Sequence, residues 1–101
     1  RRTTVFYHPD GRTRPAFMGM HRMLLKCSAW QVAQVGPTTF DVRYVPIDPQ
    51  VPGDEAALAA RLRDLYFEDA QIVFHRVDHI QPLPNGKPLE YVNEWMPAPR
   101  R

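Results

Sequence analysis

Proline sets the outline of this chain. Eleven of its 101 residues are proline, and each one fixes φ and removes a backbone N–H, so it breaks helix interiors and central strands. Pro9, Pro15 and Pro37 stand alone, whereas Pro46, Pro49 and Pro52 form one group and Pro82, Pro84 and Pro88 another. The prolines fall mainly between stretches of periodic hydrophobicity, so they punctuate short elements rather than interrupt long ones. A chain of this length fits one compact domain with one modest core.

Between those breaks the pattern predicts an α+β order. Thr4-Val5-Phe6-Tyr7 is β-prone, and His8-Pro9-Asp10-Gly11 is a turn in which Gly11 takes positive φ without steric cost. Residues 12–14 return as a second strand that Pro15 stops, which makes residues 1–15 a hairpin. Phe17, Met20, Met23 and Leu24 recur at helical spacing over residues 16–26, Cys27 can extend the stripe, and Pro15 suits a helix's first turn. Trp30 to Val35 reads as a strand with Trp30, Val32 and Gln34 on one side. Residues 39–45 alternate Phe40, Val42 and Tyr44 against Asp41 and Arg43, a half-buried antiparallel strand.

Residues 54–68 are the clearest helix. Asp54 caps it, Glu55 favours its positive end, and Leu58, Leu62 and Leu65 form an apolar stripe opposite Arg61 and Arg63. Residues 70–80 carry apolar side chains on both faces, which predicts a central strand. Residues 89–95 are too short to assign. The expected architecture is a small sheet of about three strands with helices on one face, preceded by the hairpin.

Composition narrows the function. A hydrophobic share of 44% and a charged share of 24% are ordinary for a globular protein. A net charge of +2 does not argue for nucleic acid. Arg1, Arg2, Arg12, Arg14, Arg100 and Arg101 read as solvated ends, with a phosphate-facing edge as the sharper alternative. Cys27 is the only cysteine, so neither an internal disulfide nor a four-cysteine zinc site is possible. No apolar run nears the ~20 residues of a membrane span, and no secretory signal is present. The expected compartment is a reducing cytoplasm, with no membrane and no nucleic-acid partner.

Chemistry is sparse along the chain. His8, His21, His75 and His79 do not fall at a recognised metal spacing, and no metal site is expected. No Gly-rich phosphate loop, GxSxG motif or Ser–His–Asp pattern occurs. Lys87, after Pro84-Asn85-Gly86, projects from a tight turn as a cation aimed at an anion. A plain solubilising turn is the ordinary alternative.

The helix over 55–67, then Gln71-Ile72-Val73-Phe74-His75-Arg76-Val77-Asp78-His79-Ile80, then Pro82-Leu83-Pro84-Asn85-Gly86-Lys87, resemble the end of the adenylate-forming ligases. That superfamily closes with a helix, a strand reading roughly V-x-V-x-x-V-D-x-I and a P-x-T-x-S-G-K loop. Trp30-Gln31-Val32-Ala33-Gln34, Phe40-Asp41-Val42-Arg43-Tyr44 and Pro9-Asp10-Gly11-Arg12 with Pro15 and Phe17 are similar to the phenylacetate–CoA ligase branch. The resemblance covers nearly all of the chain. It implies the C-terminal lid domain of an ATP-dependent acyl-adenylating ligase, in which Lys87 contacts the carboxylate and the ATP α-phosphate. A point cation suits that step because acyl attack brings negative charges together at a dry site. The resemblance also makes Gly86 and Gly11 cofactor-binding positions, with the turn at Gly11 facing the pantetheine channel of CoA.

ATP, CoA and the acyl substrate would be held mainly by a large N-terminal adenylation domain. The chain is then an excised domain or one half of a split protein, and is not active by itself. Thr3 and Thr4 stand where the family hinge carries acids, Leu83-Pro84-Asn85 replaces Thr-x-Ser, and Pro88 follows Lys87 directly. The alternative function is a stand-alone α+β module that binds another protein without catalysis.

Overall fold

A computed structural model describes residues 4–16, 21–81 and 90–95. The chain opens with β1 (Val5–Tyr7) and β2 (Thr13–Pro15), an antiparallel hairpin with Val5 opposite Pro15. There follow α1 (His21–Leu25), β3 (Cys27–Gln34), β4 (Thr39–Pro46), α2 (Glu55–Leu65), β5 (Gln71–Arg76) and β6 (Tyr91–Asn93). The fold is α+β, with the hairpin and a mixed four-stranded sheet ordered β5-β4-β3-β6. β3 and β4 pair antiparallel, β5 runs parallel to β4, and β6 runs parallel to β3.

Register decides which face becomes the core. Trp30 lies opposite Tyr44, Val32 opposite Val42 and Gln34 opposite Phe40, so the strand period of two places all six on one face. Leu25 from α1 and Leu58, Leu62, Tyr66 and Phe67 from α2 and its exit join them in the core. Leu58 and Leu62 are fully buried, each contributing about 2 kcal/mol through the apolar area removed from water. Phe6 brings the hairpin into the same core, meeting Phe40 and Tyr66 edge-on at ring distances of 5.1 and 5.0 Å.

α2 forms where its caps predict. The Asp54 carboxylate accepts from Ala57 N–H at 3.0 Å, and Tyr66 N–H closes the last turn on Leu62 C=O at 2.8 Å. The helix ends at Leu65 rather than Glu68, because Tyr66 leaves helical geometry and buries its ring with Phe67.

Four expectations change. Cys27 starts β3 instead of extending the α1 stripe, because Lys26 takes a left-handed φ of 52° that stops the helix. Pro15 is the last residue of β2 and lies outside any helix; Phe17 and Met20 lie outside the described residues. Tyr91–Asn93 adds a fourth strand, placing β3 between two neighbours. β5 ends at Arg76 and lies at an edge rather than centrally. Its second apolar face is not covered: Val73 is 43% exposed.

Candidate functional site

Of the residues that the sequence singles out, Lys87 and Gly86 lie outside the described residues, as do Thr3, Asn85 and Pro88. The strands before and after Lys87 in sequence, β5 and β6, are the two edges of the sheet. Gly11 is at the exposed tip of the β1–β2 hairpin with φ +99°. A Cβ there would meet nothing within 4 Å, so backbone conformation rather than space requires glycine.

The tip is closed by main-chain bonds from His8 N–H to Arg12 C=O and from Gly11 N–H to His8 C=O, both 2.9 Å. Asp10 then accepts from Arg12 twice, from its N–H at 2.9 Å and from Nε at 2.8 Å. These bonds, the main-chain one above all, hold the Asp10 carboxyl below its ordinary range. Arg12 reaches on to Glu68, with Nη1 at 3.2 Å from Oε1. Glu68 and Asp10 together hold the Arg12 guanidinium in its charged form, and the Glu68 carboxyl is lowered by a backbone N–H and by Arg12.

His8 extends the same bridge. Its Nε2 lies 2.9 and 3.0 Å from the two oxygens of Asp69, and its Nδ1 accepts from Asp10 N–H at 3.1 Å. The same Nδ1 stands 2.9 Å from Asp10 Oδ1, so each ring nitrogen of His8 faces a carboxylate. Beneath lies Phe67, fully buried, with the His8 ring 4.9 Å away and the guanidinium carbons of Arg12 and Arg14 each 5.5 Å from its centroid. The hairpin tip therefore rests on the turn that joins α2 to β5, through His8–Asp69 and Arg12–Glu68. It presents two guanidiniums at a preset place.

The root of the hairpin is fixed by two buried amides. Gln34, fully buried, accepts from Tyr7 N–H at 3.0 Å and donates to Tyr7 C=O at 2.6 Å. Asn93 donates to Val5 C=O at 2.8 Å and to Gln34 Oε1 at 3.2 Å. Thr4 Oγ1 donates to Tyr91 C=O at 3.2 Å. These side chains tie the hairpin root to β3 and β6. Sequence reasoning placed Gln34 on one side of its strand with Trp30 and Val32 but gave it no role; the available signal was an amide among apolar neighbours on an alternating strand.

The opposite sheet face carries a second polar group. Arg43 donates to Gln31 Oε1 at 2.7 Å and pairs with both oxygens of Glu94 at 3.1 Å. Glu94 is the main reason its guanidinium is held charged. His75 Nε2 stands 3.4 Å from Asp41, whereas His79 lies beyond the end of β5. Among the described residues no cluster of three or more metal-ligating side chains forms, and no helix is long and apolar enough to cross a membrane. The chain matches no protein-family model, no curated protein and no solved structure.

Proposed function

We infer that this chain acts as the lid of an ATP-dependent acyl-adenylating ligase, of the kind that forms acyl-CoA. The observation that carries this reading is the order α2, β5, then Pro84-Asn85-Gly86-Lys87, in a domain whose N-terminal hairpin is clamped to the same sheet. Such a body can offer Lys87 to one half-reaction and the tip at Gly11 to the other without changing its internal packing. In this reading Lys87 is a point cation that stabilises the charge at the α-phosphate as the carboxylate attacks. Gly86 lets the backbone approach the nucleotide. ATP, the acyl group and most of CoA belong to a large N-terminal adenylation domain.

The test uses the natural polypeptide that carries this chain, assayed for carboxylate-dependent exchange of pyrophosphate into ATP. Lys87→Ala is expected to lower exchange by about 100-fold or more, with unchanged circular dichroism. Exchange at the parental rate in that variant overturns the reading, as does a parent that exchanges with no carboxylic acid.

A further inference from the structure

The two edges of the sheet are finished differently. At β6, Glu90 and Glu94 turn their main chain to β3, through Val32 N–H to Glu90 C=O and Glu94 N–H to Gln34 C=O, each 2.8 Å. Tyr91 therefore faces outward, and there Thr4 Oγ1 caps its carbonyl and Asn93 ties the hairpin root across. That edge is closed.

At β5 the inward set is Gln71, Val73, His75 and Val77. Gln71 N–H donates to Thr38 C=O at 2.7 Å and Val77 N–H to Tyr44 C=O at 2.9 Å, and a parallel ladder alternates strictly between those ends. Ile72, Phe74 and Arg76 consequently point their N–H and C=O groups away from β4. Among the described residues no strand, cap or side chain meets these groups. The strand has no proline or bulge within it, which are the usual devices that protect an edge. Val73 and His75, 43% and 46% exposed, flank the open row on the polar sheet face.

We propose that this edge pairs with β5 of a second copy of the chain, antiparallel, with Phe74 on the two-fold axis. The argument for a second copy is self-complementarity. In this register Ile72 lies opposite Arg76 of the second copy and Phe74 opposite Phe74, so every outward residue meets an outward residue and all three open positions are paired. Within the strand Val73 lies beside His75, and Gln71 lies opposite Val77, so no like charges face each other. Shifting the axis to Val73 would leave Arg76 facing Ala70, whose N–H and C=O are already held by Phe67 and Arg63. The product is one continuous eight-stranded sheet with both helical layers on the same side. A contact through one six-residue strand is small, so the expected dimer is weak, with a dissociation constant on the order of 100 μM.

Sedimentation equilibrium of the chain from about 10 μM to about 1 mM brackets that value. The mass is expected to rise from monomer to dimer across the range. Over the same range the amides of Ile72, Phe74 and Arg76 gain protection from hydrogen exchange, while Gln71, Val73 and His75 are protected throughout. Val73→Lys sets a cation beside His75 of the second copy and should weaken association about tenfold. Should that variant fail to fold, the exchange pattern of the unmodified chain decides alone. A chain that stays monomeric overturns the proposal and leaves the edge to a strand of another protein. A dimer in which Ile72, Phe74 and Arg76 exchange as in the monomer overturns it as well.

Discussion

The side-chain amide of Gln34 donates to the carbonyl of Tyr7 and accepts from its N–H, so one side chain copies the paired bonds of a β-ladder. The hairpin thereby gains a ladder contact with the end of β3 that its own strands, three residues each, are too short to make. An isolated two-stranded hairpin is marginal in water. Here Gln34 and Asn93 hold its main chain while Phe6 holds its apolar side.

Gln34→Leu keeps the volume and removes both bonds. Tyr7 then has a donor and an acceptor without partners beside the core, and the Asn93 amide loses one acceptor. Leaving such groups unpaired costs about 3 kcal/mol. Thermal unfolding should show the loss, and the hairpin amides should exchange faster than those of β4. A melting temperature equal to the parent's would mean that Phe6 packing alone holds the hairpin.

Gly53 is constrained by a neighbour rather than by its own backbone angles. A Cβ on it would sit 2.6 Å from the carbonyl oxygen of Leu25 and 2.8 Å from its Cα. That contact brings the loop before α2 against the end of α1, where Asp54 N–H also bonds Leu24 C=O at 2.8 Å. Gly53→Ala must push two backbones apart, at a cost of about 2 kcal/mol. Denaturant unfolding should report it as a lower midpoint, while Gly11→Ala tests a different term, the strain of positive φ with open space around it.

Local patterns carried much of this architecture. The alternation Phe40, Val42, Tyr44 identified β4 and its buried face, Asp54 marked the start of α2, and Asp10-Gly11 marked the hairpin tip. What was not legible depends on residues distant in sequence. Whether β5 is central or at an edge turns on a neighbouring strand, and Val73 reads as apolar whether covered or exposed. β6 has only three residues and exists because β3 offers it a ladder. The partners of the hairpin tip, Glu68 and Asp69, lie 56 and 61 residues from Arg12 and His8, so no local spacing signals them. Lys87 and Gly86 were read from motif order alone, and they lie outside the described residues.

Tyr44 predicts an alkaline limit. Burial, then its bond to Glu55 at 2.5 Å, pushes its hydroxyl up to about 12. The folded state therefore keeps a proton that the unfolded chain releases near pH 10. Its contribution to stability is whole below pH 10 and is lost as pH rises towards 12, on the order of 2 kcal/mol. Comparing unfolding of the parent with Tyr44→Phe across pH 9–12 isolates it. The parent should lose stability faster; parallel curves would assign the alkaline loss to other groups.

Acid should release the hairpin tip before the core. Asp10 and Glu68 both have lowered carboxyl pKa values, through the Arg12 N–H in the first case and a backbone N–H with Arg12 in the second. A carboxyl lowered by folding stabilises the fold above its unfolded value and loses that contribution as pH falls through the folded one. The window therefore opens below about pH 4, the ordinary carboxylate range. There Arg12 loses both partners, and the tip keeps Phe67 beneath it but not the bridge to the α2–β5 turn. Amide chemical shifts of Gly11, Arg12 and Asp69 should move together below that pH while those of Val32 and Val42 stay fixed. Both carboxylates are solvent-facing, so added salt should shrink the effect. Arg12→Gln should abolish the joint movement by removing the shared cation. If the Gly11 and Asp69 amide signals still move together in that variant, the His8–Asp69 contact rather than Arg12 couples the tip to the turn.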